Sequence, residues 1–201
     1  ATAAVTYDVA NSCRFDGSSA YMDGTFGTPT STTTWTLSFW FKGGSTAAHN
    51  AFIGHAHGDG KRAAVVKLLS TSGCLDLRGS NTADSDAHEI TTNRSFRDRS
   101  AWYHIVIGWD TTQSTAANRV KIYVNGTLET SFSTATYPDE DDTYMINGDG
   151  FDFDVGRYPD GTTYFPGYLA EYCFIDGTQY AASDFGEFDS DSPTIWKPVD
   201  P

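Results

Sequence analysis

The chain has 201 residues, a length that suits one domain, and aromatic residues make up 14% of it. Aromatic side chains fit a pleated, half-buried surface better than a helix, so the composition favours β-structure. The formal net charge is −13, with 26 acidic against 13 basic residues. Such a surface repels phosphate backbones and anionic lipids, which argues against nucleic-acid and membrane partners. The charge either keeps the protein soluble or attracts divalent cations.

The side chains follow a period of two along much of the chain, which predicts strands with one face in a core. The segment Trp35–Phe41 alternates cleanly, because its odd-numbered residues are all large and apolar. The segment Trp102–Trp109 is apolar on both faces, as in an interior strand of a layered sandwich. Further strands are predicted at 120–124, 127–132, 151–155 and 168–175, with weaker ones at 5–8, 13–15, 20–22, 51–55, 63–69 and 75–77.

Turn residues and the absence of a sustained helical period complete the prediction. Asn125 and Gly126 separate two alternating runs and predict a hairpin, because both residues accept positive φ. We expect no helix longer than about two turns, and one short helical turn over 183–188. A dozen or so short strands indicate a sandwich or barrel, with a single domain over 1–201 whose last part, 181–201, forms an irregular tail.

The three cysteines, Cys13, Cys74 and Cys173, are far apart in the chain and lack metal-ligand spacing. Their odd number leaves at least one thiol free. We predict that all three are unpaired and mostly buried, as in a protein that folds in a reducing cytoplasm.

Five segments occur in an order that resembles a known family. They are Phe15–Met22, Thr36–Lys42, Trp102–Val106, Val120–Gly126 and Tyr168–Tyr172. This order is similar to the laminin-G-like branch of the concanavalin A-like superfamily, which contains lectins and glucanases. The resemblance implies an all-β fold, a two-sheet antiparallel jelly-roll sandwich, over most of the chain.

The closing segments Phe174–Tyr180, Ser183–Asp189 and Ile195–Pro198 resemble the end of laminin-G-like modules in tailed-phage structural proteins. This resemblance implies a non-enzymatic virion component, a capsid- or tail-surface decoration assembled in the host cytoplasm. Its expected partners are other virion proteins, further copies of itself and surface glycans. Two alternatives stay open, because one fold hosts many functions. They are a glycan-cleaving enzyme of the same superfamily and a purely architectural decoration protein.

Hydrolysis of glycosides requires two carboxylates that flank the bond. The superfamily's glucanases carry them as Glu-x-Asp-x-x-Glu on one strand, and the nearest match here is Glu187-Phe-Asp-Ser-Asp191, which lacks the final Glu. Asp152 and Asp154 share a strand face, but a solvated outer face explains both. We therefore predict no catalytic pair, so that mutation of Glu187, Asp189 or Asp191 spares glycan binding.

Two polar residues fall in apolar strands. Glu171 is in phase with Leu169, Cys173 and Ile175, so we expect it to point inward. We expect its carboxylate to accept hydrogen bonds from Arg14, His104, or backbone or hydroxyl groups of an adjacent strand. We expect His104 to be a buried histidine whose ring nitrogens are satisfied. The register of this strand is testable, because a slip by one residue would place Tyr168, Ala170, Tyr172 and Phe174 in the core instead.

Metal binding has three candidate locations. His55-Ala-His-Gly-Asp59 has the spacing of a metal-binding run, although a polar strand end entering a turn explains it as well. Calcium prefers loops rich in carboxylate and carbonyl oxygens. Residues 139–142 with Asn147 and Asp149 form one such loop, and Asp160 lies in another. The resemblance to calcium-binding pentraxins points to Asp160 as the metal ligand, with calcium as the cofactor.

Glycan binding in this superfamily uses an aromatic platform and polar loop groups. Trp40, Tyr158 and Tyr164 are outside the core phase or in loops, and we name them as candidate ligand-binding residues; Tyr137 and Tyr144 are further candidates. Trp40 has a second explanation, which is that the chain termini cover it. A lectin requires these aromatic residues to be clustered, and an enzyme requires a carboxylate pair in a cleft.

Overall fold

The computed structural model describes residues 7–46, 49–56, 63–80 and 87–200. The regular structure in these ranges is almost entirely β. The strands are β1 (Cys13–Asp16), β2 (Met22–Thr25), β3 (Thr34–Gly43), β4 (Asn50–Ala56), β5 (Ala63–Leu68), β6 (Cys74–Ser80), β7 (Ala87–Ser95), β8 (Tyr103–Asp110), β9 (Val120–Val124), β10 (Thr127–Leu128), β11 (Phe132–Thr136), β12 (Asp152–Val155), β13 (Pro166–Asp176), β14 (Gly186–Phe188) and β15 (Trp196–Pro198).

Two large antiparallel sheets form the sandwich. The six-stranded sheet has the order β1-β13-β3-β8-β9-β10, and the seven-stranded sheet has the order β11-β7-β6-β5-β4-β12-β2. Strands β14 and β15 pair only with each other. The architecture is the two-sheet antiparallel jelly-roll-like sandwich that the sequence predicts.

Helix is confined to two short pieces in the described part of the chain. Helix α1 spans Ala116–Arg119, and a single 3-10 turn spans Ala182–Asp184. The prediction of no helix longer than two turns is confirmed for these ranges. The helical turn expected over 183–188 begins earlier, and Gly186–Phe188 is a strand. No described helix has the length and apolar character needed to cross a membrane.

The core lies between the two large sheets and follows the predicted alternation. In β3 the odd-numbered residues from Trp35 to Phe41 all have 1% exposure or less, and those of β8 pack beside them. Trp35 stacks on Trp109 with ring centroids 5.1 Å apart. The seven-stranded sheet contributes aliphatic side chains and Phe52. Each such side chain stabilises the fold by about 1.5–3 kcal/mol, so the core supplies most of the driving force.

The hairpin predicted at Asn125 and Gly126 joins β9 to β10. Both residues have positive φ, 47° and 77°. Two positive φ values in succession match the right-handed twist of the flanking strands, which is why Asn-Gly is favoured here. The prediction is confirmed.

The long strand β13 departs from its predicted register. Leu169 lies in the core, but a β-bulge falls between Ala170 and Cys173. Glu171 sits in this bulge with φ 46°. The extra residue reverses the faces of the strand, so that Tyr172 and Phe174 pack in the core instead of Cys173 and Ile175.

Glu171 therefore does not point into the core. It is half-buried, and the Tyr7 hydroxyl donates a 2.6 Å hydrogen bond to its carboxylate. The prediction of a hydrogen-bonded carboxylate is confirmed, whereas the predicted burial and the named donors Arg14 and His104 are wrong. A hydroxyl donor is among those expected, although Tyr7 does not belong to a strand. Periodicity alone could not locate the inserted residue.

The C-terminal segment covers part of the outer face of the six-stranded sheet. Ala182 and Phe185 pack on Val106 of β8, and Cys173 and Trp196 join this second apolar cluster. The tail, predicted to be irregular, contains the hairpin of β14 and β15. All three cysteines are free, as predicted, but Cys13 is exposed rather than buried.

Candidate functional site

An apolar groove of about 340 Å³ lies on the outer face of the six-stranded sheet. The N-terminal segment 9–12 forms one wall, and the C-terminal segment 196–198 forms the other. Trp40, Trp102 and Trp196 line it, and Trp102 retains 37% of its exposure. Three tryptophans in one open groove form an aromatic patch, which isolated exposed residues do not.

The strand alternation places Trp40 in this groove. Because the odd-numbered residues of β3 fill the core, its even-numbered residues face outward. Trp40 pairs with Ala170 of β13 on one side and with His104 of β8 on the other. The small side chain of Ala170 leaves open space beside the indole ring. The sequence-based alternative that the termini cover Trp40 is partly correct, since both terminal segments line the groove.

Trp196 is held in the groove by His104. The indole Nε1–H donates a 2.9 Å hydrogen bond to Nδ1 of His104, whose ring is also stacked on that of Trp40 at 4.8 Å. Any Cβ at Gly126 or Gly186 would come within 2.5 Å of the Trp196 ring, so both positions require glycine. One hydrogen bond and close packing on two glycines therefore hold the Trp196 ring in the groove wall.

His104 is a satisfied buried histidine, as predicted, although it lies beneath the tail and not between the sheets. It has 1% exposure, and burial lowers its pKa to about 4. Indole can only donate, so Nδ1 is the acceptor and Nε2 carries the proton. Nε2–H then donates to the Ser38 hydroxyl at 2.9 Å.

This proton arrangement argues against nucleophilic catalysis at Ser38. A general base must accept the hydroxyl proton, but Nε2 of His104 already carries one. Cys173 lines a small cavity together with Ser38 and His104, and its thiol pKa is raised by burial and by the nearby Glu171. A raised pKa reduces the thiolate form, which is the reactive one.

The carboxylates that partly match the glucanase motif stabilise the hairpin in the tail. Lys197 contacts Glu187 at 3.2 Å and Asp189 at 3.6 Å. Asp189 also accepts the backbone N–H groups of Asp191 and Ser192, and these hydrogen bonds lower its pKa. The carboxylates of Glu187 and Asp189 thus bind groups of the tail itself.

The other predicted site residues lie elsewhere. Tyr158, Asp160 and Tyr164 belong to the connection between β12 and β13, which adjoins the seven-stranded sheet. The Lys67 ammonium donates to the Tyr158 hydroxyl at 3.3 Å. The structure therefore groups these three residues but separates them from Trp40.

Asp160 uses its carboxylate within its own turn. It accepts the backbone N–H groups of Thr162 and Thr163 and the Thr163 hydroxyl, all at 2.8–2.9 Å. Among the described residues, no group of three or more His, Cys, Asp or Glu side chains could hold a metal ion. Calcium at Asp160 stays a prediction. In the run 55–59, the His55 side chain and residues 57–59 lie outside the described part.

Tyr164 contributes to a small aromatic cluster. Its ring lies 6.1 Å from that of Tyr21, and the Arg157 guanidinium lies 3.7 Å from the Tyr21 ring centre. Asp154 binds Arg157 through two hydrogen bonds and raises the pKa of the guanidinium. Tyr144, a further sequence candidate, is buried against Trp109 in the core.

A charged network lies on the outer face of the seven-stranded sheet, near Tyr158. Asp76 and Lys67 are buried at 0% and 2% exposure, with 3.5 Å between their charged atoms. Burial opposes ionisation of Asp76, but hydrogen bonds from Arg78 and Thr91 outweigh it and lower the pKa. Every charge in this network has a partner.

Sequence reasoning missed two of the three groove tryptophans. Trp102 precedes β8 in the phase of His104, so strand parity could have placed it on the outer face. Trp196 lies in the tail, and no local pattern connects it to β3. Its position depends on how the tail crosses the sheet.

Comparison with known proteins identifies relatives of the fold. Residues 16–184 match the family model described as the concanavalin A-like lectin/glucanases superfamily. No curated protein sequence matches this chain. The structure is similar to the CBM40 module of the Ruminococcus gnavus IT-sialidase bound to α2,3-sialyllactose, with TM-score 0.56, 13% identity and coverage of 84% of this chain and 91% of that one.

Two animal proteins have the same fold. A native heptameric SAP-like pentraxin from Limulus polyphemus gives TM-score 0.55 at 14% identity, over 83% of this chain and 76% of that one. Domains LG4-5 of the mouse laminin α1 chain give TM-score 0.51 at 13% identity, over 83% of this chain and 41% of that one. Identities this low demonstrate a common fold and nothing more.

Proposed function

The chain belongs to the concanavalin A-like lectin/glucanase superfamily, and from this premise we propose that it is a non-catalytic module that binds carbohydrate in the tryptophan-lined groove. The observation that carries the proposal is the clustering of Trp40, Trp102 and Trp196 in one open groove. Clustered aromatic residues are what the lectin interpretation of the sequence requires. The proposed module is the single domain 1–201, whose tail supplies Trp196.

The dimensions and chemistry of the groove suit a sugar. Its volume of about 340 Å³ is close to the lower end of typical ligand sites, which is about 300–1,000 Å³. The apolar faces of a pyranose ring pack on indole rings, while Asn11, Ser12 and Lys197 supply hydrogen-bonding groups at the rim. His104 fixes the Trp196 ring in advance, which lowers the entropic cost of binding.

The same groove favours binding over hydrolysis. None of the described residues that line it is a carboxylate, whereas glycoside hydrolysis requires two. The names of two similar structures also favour carbohydrate. One is the sialidase module bound to sialyllactose, and the other is domain 4 of a Geobacillus stearothermophilus arabinanase in complex with arabinotriose.

We further propose that the module is displayed on the surface of a phage particle, on the capsid or the tail. The resemblance of the segments 174–180, 183–189 and 195–198 to the end of tailed-phage modules supports this setting. The net charge of −13 suits a protein that is crowded with copies of itself. Its partners there are other virion proteins, and its ligands are surface glycans.

Glycan-array screening followed by calorimetry of the best-bound oligosaccharide tests the binding function. Trp102→Ala is expected to raise the dissociation constant at least about tenfold, as loss of a typical hot-spot aromatic residue does. Tyr21→Ala is the matched control, because Tyr21 has 38% exposure and lies away from the groove. Unchanged affinity in Trp102→Ala, or weakened affinity in Tyr21→Ala, would exclude the groove as the site.

Two further readouts separate the alternatives. Mass spectrometry of the incubated glycan detects cleavage, and a product that Glu187→Gln abolishes would establish an enzyme instead. Immunogold labelling of purified virions tests the location, and many regularly spaced copies are expected. Labelled particles together with no binding to any glycan would favour the architectural alternative.

A further inference from the structure

A row of outward-facing side chains borders the groove. Tyr168 of β13 pairs with Arg14 of β1 on one side and with Lys42 of β3 on the other. Neighbours in such a row have Cα atoms about 5 Å apart. Trp102 directly precedes Tyr103, which pairs with Phe41, so it lies next to Lys42 at the end of this row.

This row is adjacent to the groove floor. Trp40 and Ala170 stand two residues along their strands from Lys42 and Tyr168, a distance of about 6–7 Å. The Tyr168 ring has 38% exposure. A sugar residue on Tyr168 would therefore neighbour a second residue seated on the tryptophans, since adjacent pyranose rings have a similar spacing.

The cations at the two ends of the groove differ in whether they have an ion-pair partner. Lys197, at the other end of the groove, is neutralised by Glu187 and Asp189. In the described part of the chain, neither Arg14 nor Lys42 has an ion pair.

Two carboxylates near this pair of cations, one two residues along the chain from Arg14 and one that interacts electrostatically with Lys42, are otherwise occupied. Asp16 accepts hydrogen bonds from residues 18–20 in its own turn. Asp98 is held by Ser100, whose hydroxyl and backbone N–H bind it, and Lys42 only adds to the lowering of its pKa.

From this arrangement we infer that the groove selects oligosaccharides that carry a carboxylate, with the acidic residue over Tyr168 between Arg14 and Lys42 and its neutral neighbour on the tryptophans. The inference rests on the proposed function and adds the class of ligand to it. Arginine matches the geometry of a carboxylate by donating two parallel hydrogen bonds, and lysine supplies a second positive charge. A local pair of cations is what admits an anion to a protein of net charge −13.

Matched ligand pairs test the selectivity. The probes are sialyllactose against lactose, and trigalacturonate against its methyl ester, each measured by calorimetry. For the pair that binds, the acidic member is expected to bind at least about tenfold more tightly at low salt. This preference is expected to shrink as added salt screens the charges.

Charge-neutralising variants locate the selectivity. In the double variant Arg14→Gln and Lys42→Gln, the acidic and neutral members are expected to bind within about twofold of each other. Lys121→Gln and Arg97→Gln are the matched controls and are expected to keep the preference.

The failures of the two proposals are distinguishable. Tryptophan-dependent binding with no acidic preference, or a preference that survives the double variant, would overturn the inference and leave the glycan-binding function intact. Absence of binding to these probes and to every oligosaccharide of the glycan array would overturn both.

Discussion

At the residue scale, His104 connects the tail to the sheet. Its Nδ1 accepts from Trp196 and its Nε2 donates to Ser38, so only the neutral tautomer satisfies both neighbours. Protonation would place two donors face to face at Nδ1. The low pKa therefore has a structural origin, burial, and the hydrogen bonds agree with it.

The free energy of unfolding is expected to decrease as the pH is lowered from about 7 to about 4. The pKa of His104 is about 4 when folded and about 6.5 when unfolded, so the unfolded chain binds the proton first as pH falls. The stability that neutral His104 contributes to the folded state is complete above pH 6.5 and is lost progressively down to pH 4. Between pH 7.5 and 5 it amounts to roughly 2 kcal/mol. His88, whose pKa burial lowers to about 3, adds a similar share.

Urea denaturation at pH 7.5 and pH 5 measures this loss for the wild type and for His104→Gln. The variant is expected to lose roughly 2 kcal/mol less over this interval, because one titrating group has gone. An identical pH dependence in the two proteins would show that His104 does not titrate differently on folding.

At the scale of the element, the bulge in β13 sets which side chains meet the core and which meet the tail. Glu171 adopts φ 46°, a left-handed conformation that costs a residue with a Cβ roughly 1 kcal/mol. The Tyr7 hydroxyl binds its carboxylate, and this bond raises the pKa of Tyr7 to about 12. One strained residue thus allows Tyr172 and Phe174 to face the core.

Substitution of Glu171 tests the bulge. Both Glu171→Ala and Glu171→Gly lose the carboxylate, but only glycine adopts positive φ without strain. The glycine variant is therefore expected to be more stable than the alanine variant by about 1 kcal/mol in chemical denaturation. Ala170→Gly, at a neighbouring position without positive φ, is the control and is expected to destabilise. The reverse order at position 171 would place this residue in a regular strand.

At the scale of the whole molecule, the chain forms a sandwich with a further layer on one face. The N-terminal segment, β13 and the C-terminal hairpin meet around Trp40, although they are distant in sequence. The groove therefore exists only when the tail is docked. Binding and folding of the tail are coupled through Trp196 and His104.

The thiols report on the integrity of this layered arrangement. Thiol titration in denaturant is expected to count three groups, since all three cysteines are free. In the native protein Cys13 is expected to react rapidly, because it is exposed, and Cys173 slowly, because burial raises its pKa. Rapid reaction of Cys173 in the native protein would mean that the tail does not cover β13. A denatured count of one would contradict the free cysteines.

The sequence by itself determined the class of fold and much of the core. The period of two in Trp35–Phe41 requires one buried face whatever the neighbours are, and Asn125-Gly126 requires a tight turn. The same parity placed Trp40 outside the core. These features depend only on the backbone geometry of a strand or a turn, so local residues are sufficient to predict them.

Only the tertiary structure decided the register beyond Leu169 and the composition of the groove. A bulge adds one residue where two strands meet, and no alternation within β13 marks it, because apolar side chains occupy both of its faces. Trp196 reaches Trp40 and Trp102 because the tail crosses the sheet, and Tyr158 lies far from them because its turn adjoins the other sheet. Proximity between such segments follows from packing of the whole chain, for which a one-dimensional pattern carries no signal.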